Sequence, residues 1–84
     1  MTYCLVIDKK AQKEIFRLSL KDILRIQAGI QKILNNPFAG KKLSGKLQGA
    51  YSIRVWPFRI LYKIQQKKLV IVVIKVVHRK EAYK

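Results

Sequence analysis

Acidic residues are scarce in this chain of 84 residues, which has 4 Asp and Glu against 19 Lys and Arg and a formal net charge of +15. No acid lies between Asp22 and Glu81, whereas 13 basic residues lie there. Protein surfaces usually mix both signs of charge. A field of one sign therefore points to RNA or DNA, or to an acidic protein, as the partner, with a merely basic domain as the alternative.

Cysteine and histidine are nearly absent, since Cys4 and His78 are the single residues of their types. One cysteine excludes an intramolecular disulfide, and one His, one Cys and four scattered acids offer no metal-ligand spacing. We therefore expect no metal site, no cofactor and a reducing cytoplasm as the compartment, because no signal peptide is visible either. Cys4 is predicted to be a small buried residue on a strand.

Long hydrophobic runs are also missing. The longest, 69–77, is interrupted by Lys75 and is far shorter than the roughly 20 apolar residues that a membrane-spanning helix needs. Its Val and Ile residues predict a strand, buried on both faces. Membrane binding is disfavoured as well, because the basic residues are spread over strands and loops and do not line one amphipathic helix.

Apolar spacing predicts six regular elements. Ile26, Ile30 and Ile33 fall three and four residues apart, which is typical of one helix face, and Ser19 to Asp22 resembles a capping box. In chain order, the predicted elements are a strand at 2–7, helices at 9–18 and from about 20 to 35, and strands at 51–55, 58–64 and 69–77, with an irregular loop at 38–50. The order predicts one domain, 1–84, with an α+β fold: an N-terminal strand and a two-helix hairpin packed on a mainly antiparallel sheet that a C-terminal three-strand meander completes.

The meander gathers basic side chains at one end of the sheet. Arg54 ends the first of its strands and Arg59 begins the second, so both lie at one end of that hairpin. The third strand runs back, so that His78 and Arg79 return to the same end, and Tyr83 follows four residues later. The aromatic residues of these strands, Trp56, Phe58 and Tyr62, are expected to serve in core or hairpin packing.

Catalysis with these residues suits a phosphodiester. There is no paired-carboxylate site and no serine or cysteine triad, and what remains is a cluster of Arg and Lys, one His and several Tyr. Phosphoryl transfer needs positive charge where negative charge grows on the non-bridging oxygens. RNA supplies its own nucleophile, the 2′-hydroxyl, so a protein without a metal has only to align it and move protons.

Three segments in this order resemble the RelE/ParE toxin superfamily of toxin–antitoxin modules: YSIR at 51–54, FRILY at 58–62 and VHRKEAY at 77–83. The loop, with KLSG at 42–45 or KLQG at 46–49, and the leading strand and helices fit as well. The resemblance covers essentially the whole chain. It implies a microbial RNase-like fold and one of two activities, because RelE-like members cut mRNA in the ribosomal A site whereas ParE-like members inhibit DNA gyrase.

The resemblance also implies roles for individual residues. Arg59 is similar to the arginine that stabilises the scissile phosphate, Arg79 to the one that aids the leaving group, and Tyr83 to the tyrosine that acts as general base. Arg54 stands where the family has a basic residue that contacts the phosphate. Ser52 departs from the RelE pattern, which often has a lysine there.

Other residues are expected to bind RNA. They are Lys41, Lys42, Lys46, His78 and Lys80, and Lys42 or Lys46 could replace the charge that Ser52 lacks. Histidine is a common general base, but alternation along a strand points His78 away from Arg79. The resemblance further implies an acidic, partly disordered antitoxin that wraps the toxin, and the ribosome and mRNA as targets. A basic RNA-binding domain without toxicity is the third reading.

Overall fold

The computed structural model describes residues 2–80. The strands are β1 (Cys4–Ile7), β2 (Lys41–Lys42), β3 (Ala50–Val55), β4 (Phe58–Gln65) and β5 (Val70–His78). The helices are α1 (Lys9–Phe16) and α2 (Leu20–Asn35), and short 3₁₀ turns cover Pro37–Ala39, Gly45–Leu47 and Gln66–Lys68.

One five-stranded sheet has the order β1-β5-β4-β3-β2. Strands β2 to β5 pair antiparallel with their neighbours, and β1 alone pairs parallel, with β5. The predicted meander of β3, β4 and β5 is therefore confirmed, as is the mainly antiparallel α+β fold.

Both helices pack on the same face of this sheet. Buried side chains of the helices, such as Ile26 and Ile33, join buried side chains of the strands, such as Ile60 and Val73, in one hydrophobic core. Residues directly opposite each other on paired strands point to the same face of the sheet. The strand register therefore shows which of the two faces each remaining side chain of the sheet lies on. The second face, which the helices do not cover, is called the open face below; it carries Lys41, Ser52, Arg54, Arg59, Leu61, Lys63, Lys75 and Val77.

A β-bulge in β5 sets which of its side chains reach the open face. Tyr62 pairs with Val73 but Leu61 pairs with Lys75, which leaves Ile74 as an extra residue. The bulge shifts the alternation by one residue, so that Val76 faces the helices. Beyond the end of β1, the backbone N–H of Val76 donates to Glu14 Oε1 of α1 at 3.2 Å, which satisfies this edge of β5.

The capping box predicted at the start of α2 is half formed. Ser19 Oγ accepts a hydrogen bond from the backbone N–H of Asp22 at 3.3 Å. The Asp22 carboxylate does not reach back to Ser19 but accepts from Arg25 Nη1 at 3.2 Å. Helix α1 ends at Phe16, two residues earlier than predicted.

Three predictions from the sequence are wrong. Cys4 is exposed, because β1 is an edge strand whose alternate residues, Leu5 and Ile7, pack against the core. The outer side of β5 is only half-buried at Val70 and Val72, although Val77 on the same side is buried, so the run is not buried on both faces along its whole length. The segment 38–50 is not wholly irregular as expected, since it contains β2, the 3₁₀ turn Gly45–Leu47 and most of the turn Pro37–Ala39.

Within residues 2–80, neither helix combines the length and the apolar character that crossing a membrane would require.

Candidate functional site

A cleft opens at the tip of the β3–β4 hairpin, where β5 ends. Its volume is about 420 Å³. It is called the arginine cleft here, and the residues that line it are Arg54, Trp56, Pro57, Phe58, Arg59, Arg79 and Lys80.

Strand register brings the three arginines together. Arg54 and Arg59 lie directly opposite each other on β3 and β4, and Val77 of β5 lies opposite Arg59 on its other side. After β5 the chain stays attached to the hairpin tip, because the N–H of Arg79 donates to the carbonyl oxygen of Pro57 at 2.8 Å. The sequence prediction that these arginines meet at one end of the sheet is thus confirmed.

The arginine cleft is strongly positive. The acidic residues among the described part of the chain are Asp8, Glu14 and Asp22, and none of them lines the cleft. Like charges directly opposite each other on neighbouring strands repel, which costs stability. A bound anion such as a phosphate would relieve this repulsion, and the arginine fork matches phosphate oxygens in pairs.

Trp56 is a further residue of the arginine cleft, and the sequence analysis did not place it there. Trp56 is 59% exposed, so it does not pack in the core, which was one of the two roles predicted for it. The Arg79 guanidinium carbon, Cζ, lies over the indole, 4.7 Å from the ring centroid. Phe58 and Tyr62, in contrast, are buried in the core as predicted.

His78 is not part of the arginine cleft. It lies on the helix-covered face, where its ring packs edge-on against Phe58 with 5.4 Å between centroids. Its Nδ1 accepts a hydrogen bond from the backbone N–H of Lys80 at 3.2 Å. His78 also lines a separate pocket of about 240 Å³, together with Glu14 and Arg17.

The predicted loop lysines lie outside the arginine cleft as well. Lys42 lines a pocket of about 600 Å³ that also includes Gln66, at the opposite end of the sheet. Lys46 is exposed in a 3₁₀ turn. Lys41, however, pairs directly with Ser52 on the open face, so it is Lys41, and not Lys42 or Lys46, that stands beside the position where a lysine is missing. Of the predicted RNA-binding residues, Lys80 alone lines the cleft.

Further cations extend from the cleft across the open face. Lys63 and Lys75 occupy this face, and sequence reasoning did not single them out. The period-two alternation of β4 would have placed Lys63 on the same face as Arg59. The position of Lys75 could not be predicted in this way, because the β-bulge at Ile74 interrupts the alternation of β5. The name cationic face is used below for the basic residues of the open face together with Arg79, which lies just beyond β5 and lines the same cleft: Lys41, Arg54, Arg59, Lys63, Lys75 and Arg79.

Two further sequence predictions concern the general base and a metal site. Tyr83, the predicted general base, lies outside the described residues. No three His, Cys, Asp or Glu side chains of residues 2–80 form a group that could hold a metal ion.

The sequence model of one protein family, described as the ParE toxin of the type II toxin–antitoxin system parDE, matches residues 5–83. The chain belongs to this family. Because ParE and RelE toxins form one superfamily, the expectation from the sequence motifs is confirmed at that level. No curated protein sequence matches the chain at a significant level.

Solved structures of RelE toxins resemble the whole chain. A mutant of Escherichia coli RelE in the free state matches with a TM-score of 0.81 and 26% identity, over 98% of this chain and 88% of that one. Archaeal RelE from the RelE–RelB complex of Pyrococcus horikoshii matches with a TM-score of 0.80 and 26% identity, over 98% and 100%. The RelBE2 complex of Mycobacterium tuberculosis gives 0.77 and 26%, over 94% and 100%.

Proposed function

We propose that this toxin is an endoribonuclease that cuts mRNA in the ribosomal A site and so stops translation. The observation that carries the proposal is the arginine cleft, where Arg54, Arg59 and Arg79 converge beside Lys80 without an acidic residue of 2–80 in its wall. Such a cleft stabilises the doubly charged transition state of phosphodiester cleavage more than the singly charged diester of the ground state.

The proposed reaction uses the RNA itself as nucleophile. The 2′-hydroxyl loses its proton to the base as its oxygen attacks the adjacent phosphorus, and the bond from phosphorus to the 5′-oxygen breaks. The 5′-oxygen takes up a proton from water, so that the products are a 2′,3′-cyclic phosphate and a 5′-hydroxyl. Arg54 and Arg59 stabilise the non-bridging oxygens, and Arg79 stabilises the leaving 5′-oxygen. No metal takes part in the steps assigned to these residues.

Proton transfer needs a base for the 2′-hydroxyl, and Tyr83 is the proposed one. A phenol has an ordinary pKa near 10, and arginines favour the ionised form of any phenol that lies beside them. The placement of His78 supports this choice, since its Nδ1 is occupied by the Lys80 N–H and its ring lies on the other side of the sheet from the arginines.

An antitoxin is the proposed regulatory partner. Solved relatives include toxin–antitoxin complexes, among them the RelE–RelB complex of Pyrococcus horikoshii. The net charge of +15 and the cationic face favour an acidic, partly disordered antitoxin segment that folds over this surface and blocks the cleft. The other proposed partners are the ribosome and its mRNA.

Inducing the toxin and mapping the 5′ ends of cellular mRNA tests the proposal. We expect codon-phased cuts, and we expect Arg59→Ala or Arg79→Ala to abolish them while the folded state persists. Arg17→Ala is the matched control, because it removes an exposed arginine from the helix side of the molecule. Intact mRNA with the wild-type toxin, or wild-type cutting by both cleft variants, would contradict the proposal.

Inhibition of DNA gyrase is the second candidate function, and the match to the ParE family model favours it. In that case the toxin would act by binding alone. Induction would then raise the DNA-damage response and leave mRNA uncut, and supercoiling by purified gyrase would fall with added toxin.

A further inference from the structure

Trp56 is unusual for a tryptophan in a small domain. It is the single Trp of the chain, it occupies the tip of the β3–β4 hairpin, and it remains 59% exposed. A tryptophan that served only in packing would bury most of its large apolar area. Its side chain instead forms part of the wall of the arginine cleft.

The indole is coupled to Arg79. The 4.7 Å between Cζ and the ring centroid lies within the range of about 6 Å in which a cation is attracted to an aromatic face. The hydrogen bond from the Arg79 N–H to the Pro57 carbonyl, next to Trp56, holds the two backbones together. An indole and a guanidinium plane are therefore presented as a unit beside Arg54 and Arg59.

This combination is what proteins use to bind unpaired nucleotides. Bases that are not stacked in a helix are held on aromatic side chains and on Arg planes, while cations hold the phosphates. The cleft supplies both kinds of contact within one volume of about 420 Å³, which is in the range of sites for small ligands.

We propose that Trp56 is a stacking platform for an unpaired RNA base next to the phosphate that the arginines hold. The proposal rests on the proposed function and deepens it, since it adds a base subsite to a phosphate site. Arg79 has two tasks in this arrangement: its charge faces the phosphate, and its contact with the indole fixes the orientation of the platform.

Intrinsic fluorescence tests the proposal directly, because Trp56 is the sole tryptophan emitter. The full chain is titrated at low salt with a 2′-O-methyl RNA hexamer, which has no nucleophile and stays intact. We expect quenching of Trp56 emission on binding. An abasic hexamer with the same phosphates should bind without the quenching and about 5- to 150-fold more weakly, which is the usual contribution of one stacked base.

Variants separate stacking from folding. Trp56→Leu should weaken binding of the base-bearing hexamer to the level of the abasic one, as followed by anisotropy of a labelled oligonucleotide, and Trp56→Phe should restore most of the affinity. Phe16→Leu is the control, because Phe16 is an aromatic residue 79% exposed on α1, outside the cleft. Circular dichroism checks that each variant is folded.

Several results would overturn the stacking platform. They are equal affinity for the two hexamers, equal quenching by both, unchanged binding by Trp56→Leu, or no binding at all. Quenching by an acidic peptide such as hexaglutamate, as strong as that by RNA, would also overturn it and would make Trp56 a contact for a protein partner. The proposed function fails separately: uncut mRNA together with base-dependent quenching would reject the nuclease and retain the platform.

Discussion

Arg59 is the residue on which the proposed chemistry depends most. It lies between β3 and β5, with Arg54 opposite it on one side and Val77 on the other, so its backbone is fixed by the centre of the meander. Its side chain is half-buried, whereas those of Arg54 and Arg79 are exposed. A guanidinium that is partly withdrawn from water interacts more strongly with a phosphate than a fully solvated one does.

Tyr62 illustrates how a single buried group supports the open face. Its hydroxyl donates to the Pro37 carbonyl oxygen at 2.8 Å, and its side chain is fully buried. Gly40 packs against this hydroxyl so closely that an added Cβ would overlap it, and would lie 3.0 Å from the Ser52 carbonyl oxygen. Tyr62 thereby connects the segment before β2 to the middle of the sheet.

Replacing Tyr62 with Phe should make stability less sensitive to alkaline pH. Burial raises the pKa of the Tyr62 hydroxyl above its ordinary value of 10.0. Above pH 10 the unfolded chain loses this proton while the folded chain retains it, so stability contributed by the neutral phenol is present below pH 10 and is lost as the pH rises further. At pH 7, Tyr62→Phe should cost about 1–2 kcal/mol, because the Pro37 carbonyl loses its donor.

Urea unfolding of both proteins at pH 7, 9, 10.5 and 11 measures this effect. The difference in unfolding free energy between wild type and Tyr62→Phe should shrink above pH 10. A difference that stays constant from pH 9 to pH 11 would contradict the assigned pKa shift.

Helix α2 holds the hairpin that carries the cleft. Gly29 lies buried in the middle of this helix, and a Cβ there would overlap Val55 Cγ2 and lie 3.0 Å from Ile60 Cδ1. The helix therefore approaches β3 and β4 closely at this point. Val55 is placed between Arg54 and Trp56, so the same contact supports both cleft residues.

Gly29→Ala should destabilise the protein although Ala favours helix. The gain in helix propensity is about 1 kcal/mol, whereas overpacking costs typically about 1–3 kcal/mol. We expect a net loss of about 1 kcal/mol in urea unfolding, and a smaller loss when Gly29→Ala is introduced into a Val55→Ala background than into the wild type. Ala28→Gly, at an exposed neighbouring position, measures the propensity effect alone. A Gly29→Ala protein more stable than wild type would contradict the close contact.

Sequence patterns predicted the strands and helices that position the site. They failed for features that depend on how strands pair or how distant segments pack. Alternation and short turns around Arg54 and Arg59 predicted their common end, because both effects are local. Cys4 was misassigned because all four residues of β1 are apolar and the pattern leaves the phase of the strand open. The bulge at Ile74 could not be predicted either, because it lies in a run of β-branched residues in which no polar alternation marks a change of phase. The contact of Trp56 with Arg79 could not be predicted from local patterns, because it joins two turns that are far apart in the chain.

At the scale of the whole molecule, both sides of the sheet carry Lys and Arg, but the acidic residues of 2–80 are confined to the helix side. The acidic residues of 2–80 belong to α1, α2 and the residue before α1, whereas the cationic face lies on the opposite side of the sheet. RNA binding should therefore depend on salt through the cationic face. Each phosphate contact on a single strand adds about 0.7 to the slope of log affinity against log salt.

Removing two lysines from this face should lower the slope measurably. Lys41→Ala/Lys75→Ala is expected to reduce the slope for an RNA hexamer by about 1.4, since each lysine lies in the row of the sheet next to the arginines. Lys13→Ala/Arg17→Ala removes the same charge from the helix side and should leave the slope unchanged. Equal slopes for both double variants would contradict binding on the cationic face.

The central claim is that converging arginines make the toxin a nuclease. Its most direct test is cleavage of mRNA on purified ribosomes programmed with a defined message and treated with wild-type, Arg59→Ala or Arg17→Ala toxin. We predict one A-site cut with a 2′,3′-cyclic phosphate end, a rate about 100- to 1,000-fold lower for Arg59→Ala, and an unchanged rate for Arg17→Ala. Message left intact by the wild-type toxin, or cut equally fast by Arg59→Ala, would contradict the claim.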